Sequence, residues 1–225
     1  MKQIQHVYKI IISYCRHRTI PSMSSRLLTV LIQQKVSVVK IVCIVISSKR
    51  LSKNFGASLR NHLLGRLLGR PFDGDTDESF SDEDWNSVWF KNNTIYRHQT
   101  IRINYATYDM HRELDTINTR THPYIMVASP ETEADAHPFW YVAVLGVFHA
   151  HIQHIGVNSL DLWLQKVEFL WVRWRGVVPD SSRGRENAKL PETGFVPDSD
   201  DYAFGFLDPS LVIRGLPSST CLQEW

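Results

Sequence analysis

The first 70 residues contain no aspartate or glutamate, although the chain of 225 residues carries 23 acidic side chains. The same segment holds 13 of the 25 lysines and arginines but only three of the aromatic residues, and none of the seven tryptophans. Residues 71–225 therefore carry 12 basic and 23 acidic residues and most of the aromatic side chains. This division of charge predicts a basic arm attached to a separately folded body.

Cysteine and long apolar runs are also scarce. The three cysteines are widely separated and form no C-x-x-C pair, which argues against a disulfide framework or a structural zinc site and favours a reducing compartment. No signal peptide is visible, because the apolar stretch at 10–12 is too short. Residues 27–46 are rich in β-branched side chains, but Lys35 and Lys40 would each cost roughly 2.5–3.5 kcal/mol in a bilayer. A strand or a sticky disordered tail is favoured there over a membrane span.

Catalytic signatures are missing as well. There is no G-x-S-x-G, P-loop, dinucleotide-binding glycine pattern or H-E-x-x-H. His149 and His151 would share one face of a strand, but no third ligand stands at a suitable local spacing, which favours surface or edge histidines over a metal site. Asp109 and Asp115 are interpreted as acceptors beside turns. We therefore predict no enzyme activity, no metal, no cofactor and no small-molecule substrate.

The local patterns predict one helix followed by a mainly β module. Leucines recur at helical spacing over 55–69, with Arg60 and Arg66 toward the other side and Gly69 before Pro71 as a stop. From Trp85 onward, short strands alternate with Gly, Pro and Asn positions. Asn92-Asn93 predicts a turn between two strands, and Gly146 predicts a bulge within the longest strand. Many short strands at close spacing favour a small β-barrel or sandwich.

The segment VEFLWVRWRG, residues 167–176, combines aromatic and basic side chains. On a strand, Leu170, Val172 and Trp174 share one face, whereas Phe169, Trp171, Arg173 and Arg175 share the other. Both faces carry large apolar groups, and the surroundings are acidic overall. We therefore favour a central core strand over an exposed platform for stacking bases.

Several blocks form an ordered set over residues 52–215. They are LRNHLLGRLLGRPFDGD, NNTIYRHQTIRINYATYDMHRELDTINTRTH, HPFWYVAVLGVFHA, EFLWVRWRG and GFLDPSLVIRG. The set resembles the region downstream of the catalytic domain in Plavaka-type transposases of mushroom-forming fungi. An arginine usual near Ala143 is absent, and residues 1–50 match no part of the pattern. The resemblance implies a transposase-derived fragment without the catalytic domain, and by pattern analogy a BAH-like β-barrel.

These observations predict four regions: a basic extension over 1–52, disordered or unrelated to the rest; a helix and acidic linker over 53–84; a β-rich module over 85–215; and a tail over 216–225. We predict a nuclear recognition module, not a membrane protein, that binds DNA, chromatin or other transposase subunits. The predicted nucleic-acid contacts are Arg60, Arg66, Arg70, Arg173 and Arg175. Two alternatives stay open: a metal-dependent nuclease using Asp109 and Asp115, and a non-functional transposon remnant.

Overall fold

The computed structural model describes residues 30–33, 37–40, 55–70, 80–106, 112–131, 137–156, 159–177 and 193–216. These residues are mainly β-strand, as predicted. The strands are β1 (Val30–Gln33), β2 (Ser37–Lys40), β3 (Val88–His98), β4 (Thr100–Ala106), β5 (Arg112–Asn118), β6 (Tyr124–Ala128), β7 (Phe139–His154), β8 (Gln165–Val177), β9 (Thr193–Phe195), β10 (Phe204–Leu207) and β11 (Val212–Gly215). The helices are α1 (Phe55–Leu67) and α2 (Asp82–Ser87), with a 3-10 turn at Pro209–Leu211. Neither described helix is long and apolar enough to cross a membrane.

The long strand β7 organises the larger, eight-stranded sheet. It pairs along one edge with β8 and along the other with β3 and β6. Strands β9 and β10 extend the sheet beyond β8, β2 lies beyond β3, and β11 lies beyond β6. A smaller sheet has the order β1-β4-β5, and all of these pairings are antiparallel.

The prediction of a closed barrel is wrong. In the described part of the chain, β10 and β2 end the main path of the larger sheet and do not pair with each other. The physical reason is that both faces of the sheet are already covered. Helix α1 covers one face, and β4 and β5 supply isoleucines to the other, so burial does not require the sheet to close on itself.

Helix α1 forms where the leucine spacing predicts it and packs into the first core. Its buried side chains meet apolar residues of β3, β7, β8 and β10, and the contributing α1 residues are Phe55, Leu59, Leu63, Leu64 and Leu67. The helix ends in a Schellman arrangement. Arg70 N–H donates to the Gly65 carbonyl, Gly69 N–H donates to the Arg66 carbonyl, and Gly69 has a φ of 69°. The predicted stop at Gly69 is confirmed.

The central segment of β8 is a core strand, as its alternation predicts. Phe169 and Trp171 are buried against α1, whereas Leu170 and Val172 are buried on the opposite face in the second core. The second core also takes Ile101 from β4 and further valines and isoleucines of the sheets. Covering both faces explains why this strand carries bulky apolar residues at consecutive positions.

Gly146 marks a bulge in β7, also as predicted. The register steps from Val144 opposite Val172 to Gly146 opposite Trp171, so Leu145 is the extra residue. A Cβ at Gly146 would lie 2.3 Å from a ring carbon of Phe148. Only glycine allows the Phe148 ring to pack this close to the bulged backbone.

The predicted turn at Asn92-Asn93 is wrong. Strand β3 runs without a break from Val88 to His98, and the register slips between Phe90 and Ile95. Asn92 and Asn93 have φ values of 57° and 49°, so both adopt the left-handed conformation that asparagine tolerates well. The pair forms a wide irregularity within one strand instead of a hairpin.

The basic extension contributes two strands to the sheets. Strand β1 pairs with β4, where Val30 lies opposite Ile103, and β2 pairs with β3, where Val38 lies opposite Tyr96. These residues belong to the segment 27–46, for which a strand was one of the two expectations. The remainder of the extension, the acidic residues 71–79 and the tail after residue 216 lie outside the described residues.

Candidate nucleic-acid interface

The five predicted arginines lie on two elements. Arg60 and Arg66 lie on α1, and Arg70 follows Gly69 in the cap that ends this helix. Arg173 and Arg175 lie on β8. Alternation along β8 places Arg173 and Arg175 on the face that carries Phe169 and Trp171, which is the face covered by α1. The fold therefore brings the two groups to the same face of the sheet.

Arg66 is directed at the sheet, so its predicted position on the outer side of α1 is wrong. Its guanidinium forms a 2.7 Å ion pair with the Asp208 carboxylate and also donates to the main-chain carbonyl of Glu168. Its side chain is 27% exposed. These contacts join α1 to β8 and to the 3-10 turn after β10, so Arg66 stabilises the fold of this region.

Arg60 and Arg70 lie closer to solvent. Arg60 is partly exposed and has no ion pair with another described residue, while Arg70 is exposed and lies 4.8 Å above the centre of the Phe80 ring. Helix α1 itself contains no acidic residue, and Arg70 interacts electrostatically with Asp84 of α2. Of the five arginines, Arg70 is the most exposed, while Arg60, Arg66 and Arg173 are each partly exposed.

Arg173 is held between aromatic rings and an acidic side chain. Its guanidinium lies 4.3 Å from the centre of the Phe195 ring and 5.5 Å from that of Phe204. It also forms a 2.5 Å ion pair with Asp198, and it retains an exposed side-chain fraction of 26%. Because Asp198 is 72% exposed, this ion pair is accessible and can exchange for another anion.

Arg175 is buried, with 5% of the residue exposed. Its Nε donates to the Thr193 hydroxyl at 3.0 Å, and a terminal nitrogen donates to the Thr193 carbonyl. The guanidinium also lies 4.2 Å from the Phe195 ring centre and 5.3 Å from that of Tyr124. These contacts link β6, β8 and β9, so Arg175 acts as a structural clamp in this arrangement.

The prediction that His149 is a surface or edge histidine is wrong: on the other face of the sheet it is buried beside His98, a partner that sequence reasoning missed. His98 Nε2 lies 2.6 Å from His149 Nδ1, and both residues are less than a tenth exposed. The His149 ring stacks on Tyr96 at 4.6 Å between centroids, and His151 packs edge-on against both rings. The register of β3 against β7 places His98 beside His149, and this register depends on the irregularity at Asn92-Asn93.

The histidine pair is electrically neutral at physiological pH. Burial lowers the pKa of His149 to about 4, with further contributions from His98, Lys166 and His151. Burial also lowers the pKa of His98, and Lys166 adds to this effect while Glu168 opposes it. In an N–H···N hydrogen bond one ring nitrogen must be unprotonated, so the contact requires at least one neutral ring.

The described residues contain no group of three or more His, Cys, Asp or Glu side chains placed to hold a metal ion. Asp115, one of the two acids of the nuclease alternative, accepts a hydrogen bond from Gly215 N–H at 2.9 Å and lies 3.7 Å from the Arg214 guanidinium. Asp109, the other acid, lies outside the described residues. The contacts of Asp115 join β5 to β11 and give it a structural role.

No family model, curated protein or solved structure matches this chain.

Proposed function

We propose that this chain is a non-catalytic recognition module that binds DNA mainly through phosphate contacts and is related to the post-catalytic region of Plavaka-type transposases. One observation carries the proposal: 13 lysines and arginines, with no acidic residue, precede residue 71 and lead into α1. Clusters of basic side chains supply the sequence-independent part of DNA affinity. A protein with this role acts in the nucleus.

The way α1 is anchored supports the proposal. Helix α1 is attached to the β body by five buried apolar side chains and by the contacts of Arg66. Positive charge carried on α1 is therefore held at a fixed place on the body. Fixed charges neutralise phosphates with a smaller loss of conformational entropy than charges on a free tail.

The side-chain environments favour some of the predicted arginines over others. Arg60 and Arg70 are the preferred phosphate contacts, because Arg70 is the most exposed of the five and Arg60 has no ion pair with another described residue that it would have to give up. Arg173 can contribute by exchanging Asp198 for a phosphate, and Arg66 can do so only if it gives up Asp208. Arg175 contributes by holding β9 and not by contacting DNA.

The test is fluorescence anisotropy of a labelled DNA duplex with the complete chain over a series of salt concentrations. We expect Arg60→Gln/Arg70→Gln to weaken binding and to lower the slope of log K against log salt by about 2, since each lost phosphate contact removes about 0.9. The matched control is Arg97→Gln/Arg120→Gln, which removes two exposed charges from the β body. A third variant, Lys49→Gln/Arg50→Gln/Lys53→Gln, measures the contribution of the arm.

Substitution is preferable to deletion of residues 1–70. Such a deletion removes Phe55, Leu59 and Leu63 from the first core and would confuse loss of binding with loss of folding. If the complete chain does not bind DNA, or if all three variants keep the wild-type slope, the DNA-binding proposal is wrong.

A further inference from the structure

Helix α2 is held against α1 with an acidic first turn exposed to solvent. The Trp85 indole N–H donates to the side-chain oxygen of Asn61 on α1 at 2.6 Å. Trp85 and Phe80 also pack against the first core. The first turn of α2 consists of three exposed acidic residues: Asp82, Glu83 and Asp84. The contacts of Trp85 and Phe80 therefore keep this negative charge at a fixed place beside α1.

Arg70, in the cap of α1, is the basic residue that meets α2. Its guanidinium lies 4.8 Å from the centre of the Phe80 ring and interacts electrostatically with the Asp84 carboxylate. Its main-chain N–H donates to the Gly65 carbonyl at 2.9 Å, which fixes the point from which the side chain extends. Carboxylate and phosphate oxygens are equivalent acceptors for a guanidinium. Asp84 therefore takes the place beside Arg70 that a DNA phosphate would need.

The Asp84 carboxylate does not depend on Arg70 for its stability. Asp84 Oδ2 accepts from the Ser81 hydroxyl at 2.8 Å and from the Ser81 main-chain N–H at 3.1 Å, in a capping box at the start of α2. These hydrogen bonds lower the pKa of Asp84 most, desolvation opposes them, and His154 and Arg70 add smaller contributions. If Arg70 moves away, Asp84 keeps its partners, so little free energy is lost.

We propose that Asp84 competes with DNA phosphate for Arg70, so that α2 restrains the binding of DNA by α1. This inference rests on the proposed DNA binding and adds an autoinhibitory contact at the same site. Interactions between exposed charges are weak in water and are screened by salt. The restraint is therefore partial and strongest at low salt: it lowers the affinity for DNA but does not abolish binding.

A double-mutant cycle tests the competition, with fluorescence anisotropy of a labelled DNA duplex at low salt as the measurement. Asp84→Asn removes the negative charge but keeps a side-chain oxygen for the hydrogen bonds from Ser81. We expect this substitution in the complete chain to lower the dissociation constant for DNA about two- to fivefold. When Arg70→Gln is also present, Asp84→Asn should have little effect, because no guanidinium remains for which Asp84 and phosphate compete.

Two control variants separate the competition from other effects. Ser81→Ala weakens the same capping box but keeps the charge of Asp84, so it should not strengthen DNA binding. Glu131→Gln removes one exposed negative charge after β6, a strand that contributes no buried side chain to the first core, and should leave the dissociation constant unchanged. Circular dichroism and the melting temperature of each variant show whether its fold is intact.

Other results would overturn the proposal. If the unmodified chain binds DNA and Asp84→Asn binds it equally well, Asp84 is not a competitor, while the proposed DNA binding stands. An equal gain from Asp84→Asn with and without Arg70, or an equal gain from Glu131→Gln, would mean that acidic side chains repel DNA in general. A gain from Ser81→Ala would assign the effect to the cap of α2. If no variant binds DNA, the proposed function itself is wrong, and this inference fails with it.

Discussion

His98 Nε2 and His149 Nδ1 lie 2.6 Å apart between β3 and β7, in a buried setting that also contains Tyr96 and His151. Two protonated rings would direct an N–H at each other across this distance. The contact therefore couples the pairing of the two strands to the protonation state of the histidines. Lys166 of β8 lowers the pKa of both rings, and Glu168 of the same strand raises that of His98.

This pair predicts that the chain loses stability as the pH falls below neutrality. The pKa of His149 is about 4 in the folded chain, compared with an ordinary value of 6.5. Between these two values the unfolded chain binds more protons, so the free energy of unfolding rises with pH. The stabilising contribution is fully present above pH 6.5 and is lost as the pH falls toward 4. Urea unfolding at a series of pH values measures it.

Two variants separate the contribution of His149 to the pH dependence of stability from that of the other titratable groups of the chain. His149→Phe keeps an aromatic ring next to Tyr96 but cannot be protonated, so its stability should fall less steeply between pH 6.5 and 4. His122→Gln, at an exposed position, should keep the wild-type slope. If His149→Phe also has the wild-type slope, His149 is not the group responsible.

Gly146 and Phe148 yield a prediction about the bulge. A Cβ at position 146 would lie 2.3 Å and 2.7 Å from two ring carbons of Phe148, so Gly146→Ala forces the ring or the backbone to move. We expect a loss of about 1–3 kcal/mol in the free energy of unfolding, measured by urea unfolding. When Phe148→Leu is also present, Gly146→Ala should lower the free energy of unfolding by less, because the ring that the new Cβ approaches is absent. Gly176→Ala is the control, because a Cβ there meets no atom within 4 Å.

Much of this fold could be predicted from local patterns. Leucine spacing located α1, Gly69 located its end, and the alternation of VEFLWVRWRG identified a strand with two buried faces. These features follow from periodicity and turn chemistry, which act over a few residues. Gly146 was recognised for the same reason, since a glycine within a β-branched run is a local signal.

Other features depend on long-range pairing that a single sequence does not encode locally. Asn92-Asn93 is a favourable turn sequence, but β7 is long enough to pair with β3 on both sides of it, so the strand continues. Arg175 is a predicted nucleic-acid contact, but it is buried, because β9 pairs with β8 beside it and Thr193 binds its guanidinium. The open sheet likewise results from α1 and β4 covering its two faces.

Alanine substitutions at two glycines of the α1 region should change the stability of the chain in opposite directions. Gly65 lies within the helix and a Cβ there meets no atom within 4 Å, so Gly65→Ala should stabilise the chain by about 0.5–1 kcal/mol. Gly69 has a φ of 69°, so Gly69→Ala should destabilise it by about 1–2 kcal/mol. Thermal unfolding of the two variants checks both signs. A lower melting temperature for Gly65→Ala would show that position 65 needs glycine for another reason.

Arg175 provides the sharpest distinction between a structural and a DNA-binding arginine. Arg175→Met keeps an unbranched side chain but removes the guanidinium and both hydrogen bonds to Thr193, which is 2% exposed. Leaving a buried polar group without its partner costs roughly 1–3 kcal/mol, so we expect the free energy of unfolding to fall by this amount. Arg60→Met, at a partly exposed position, should change it by less than about 0.5 kcal/mol.

The same two variants should show the reverse order in DNA binding. Below its melting temperature, Arg175→Met should keep the salt slope of the unmodified chain, whereas Arg60→Met should lower it by about 0.9. A double-mutant cycle of Arg175→Met with Thr193→Val should show coupling of more than about 0.5 kcal/mol in stability. If Arg175→Met instead leaves stability unchanged and lowers the salt slope, then Arg175 leaves Thr193 to contact phosphate, and the interface extends over β8.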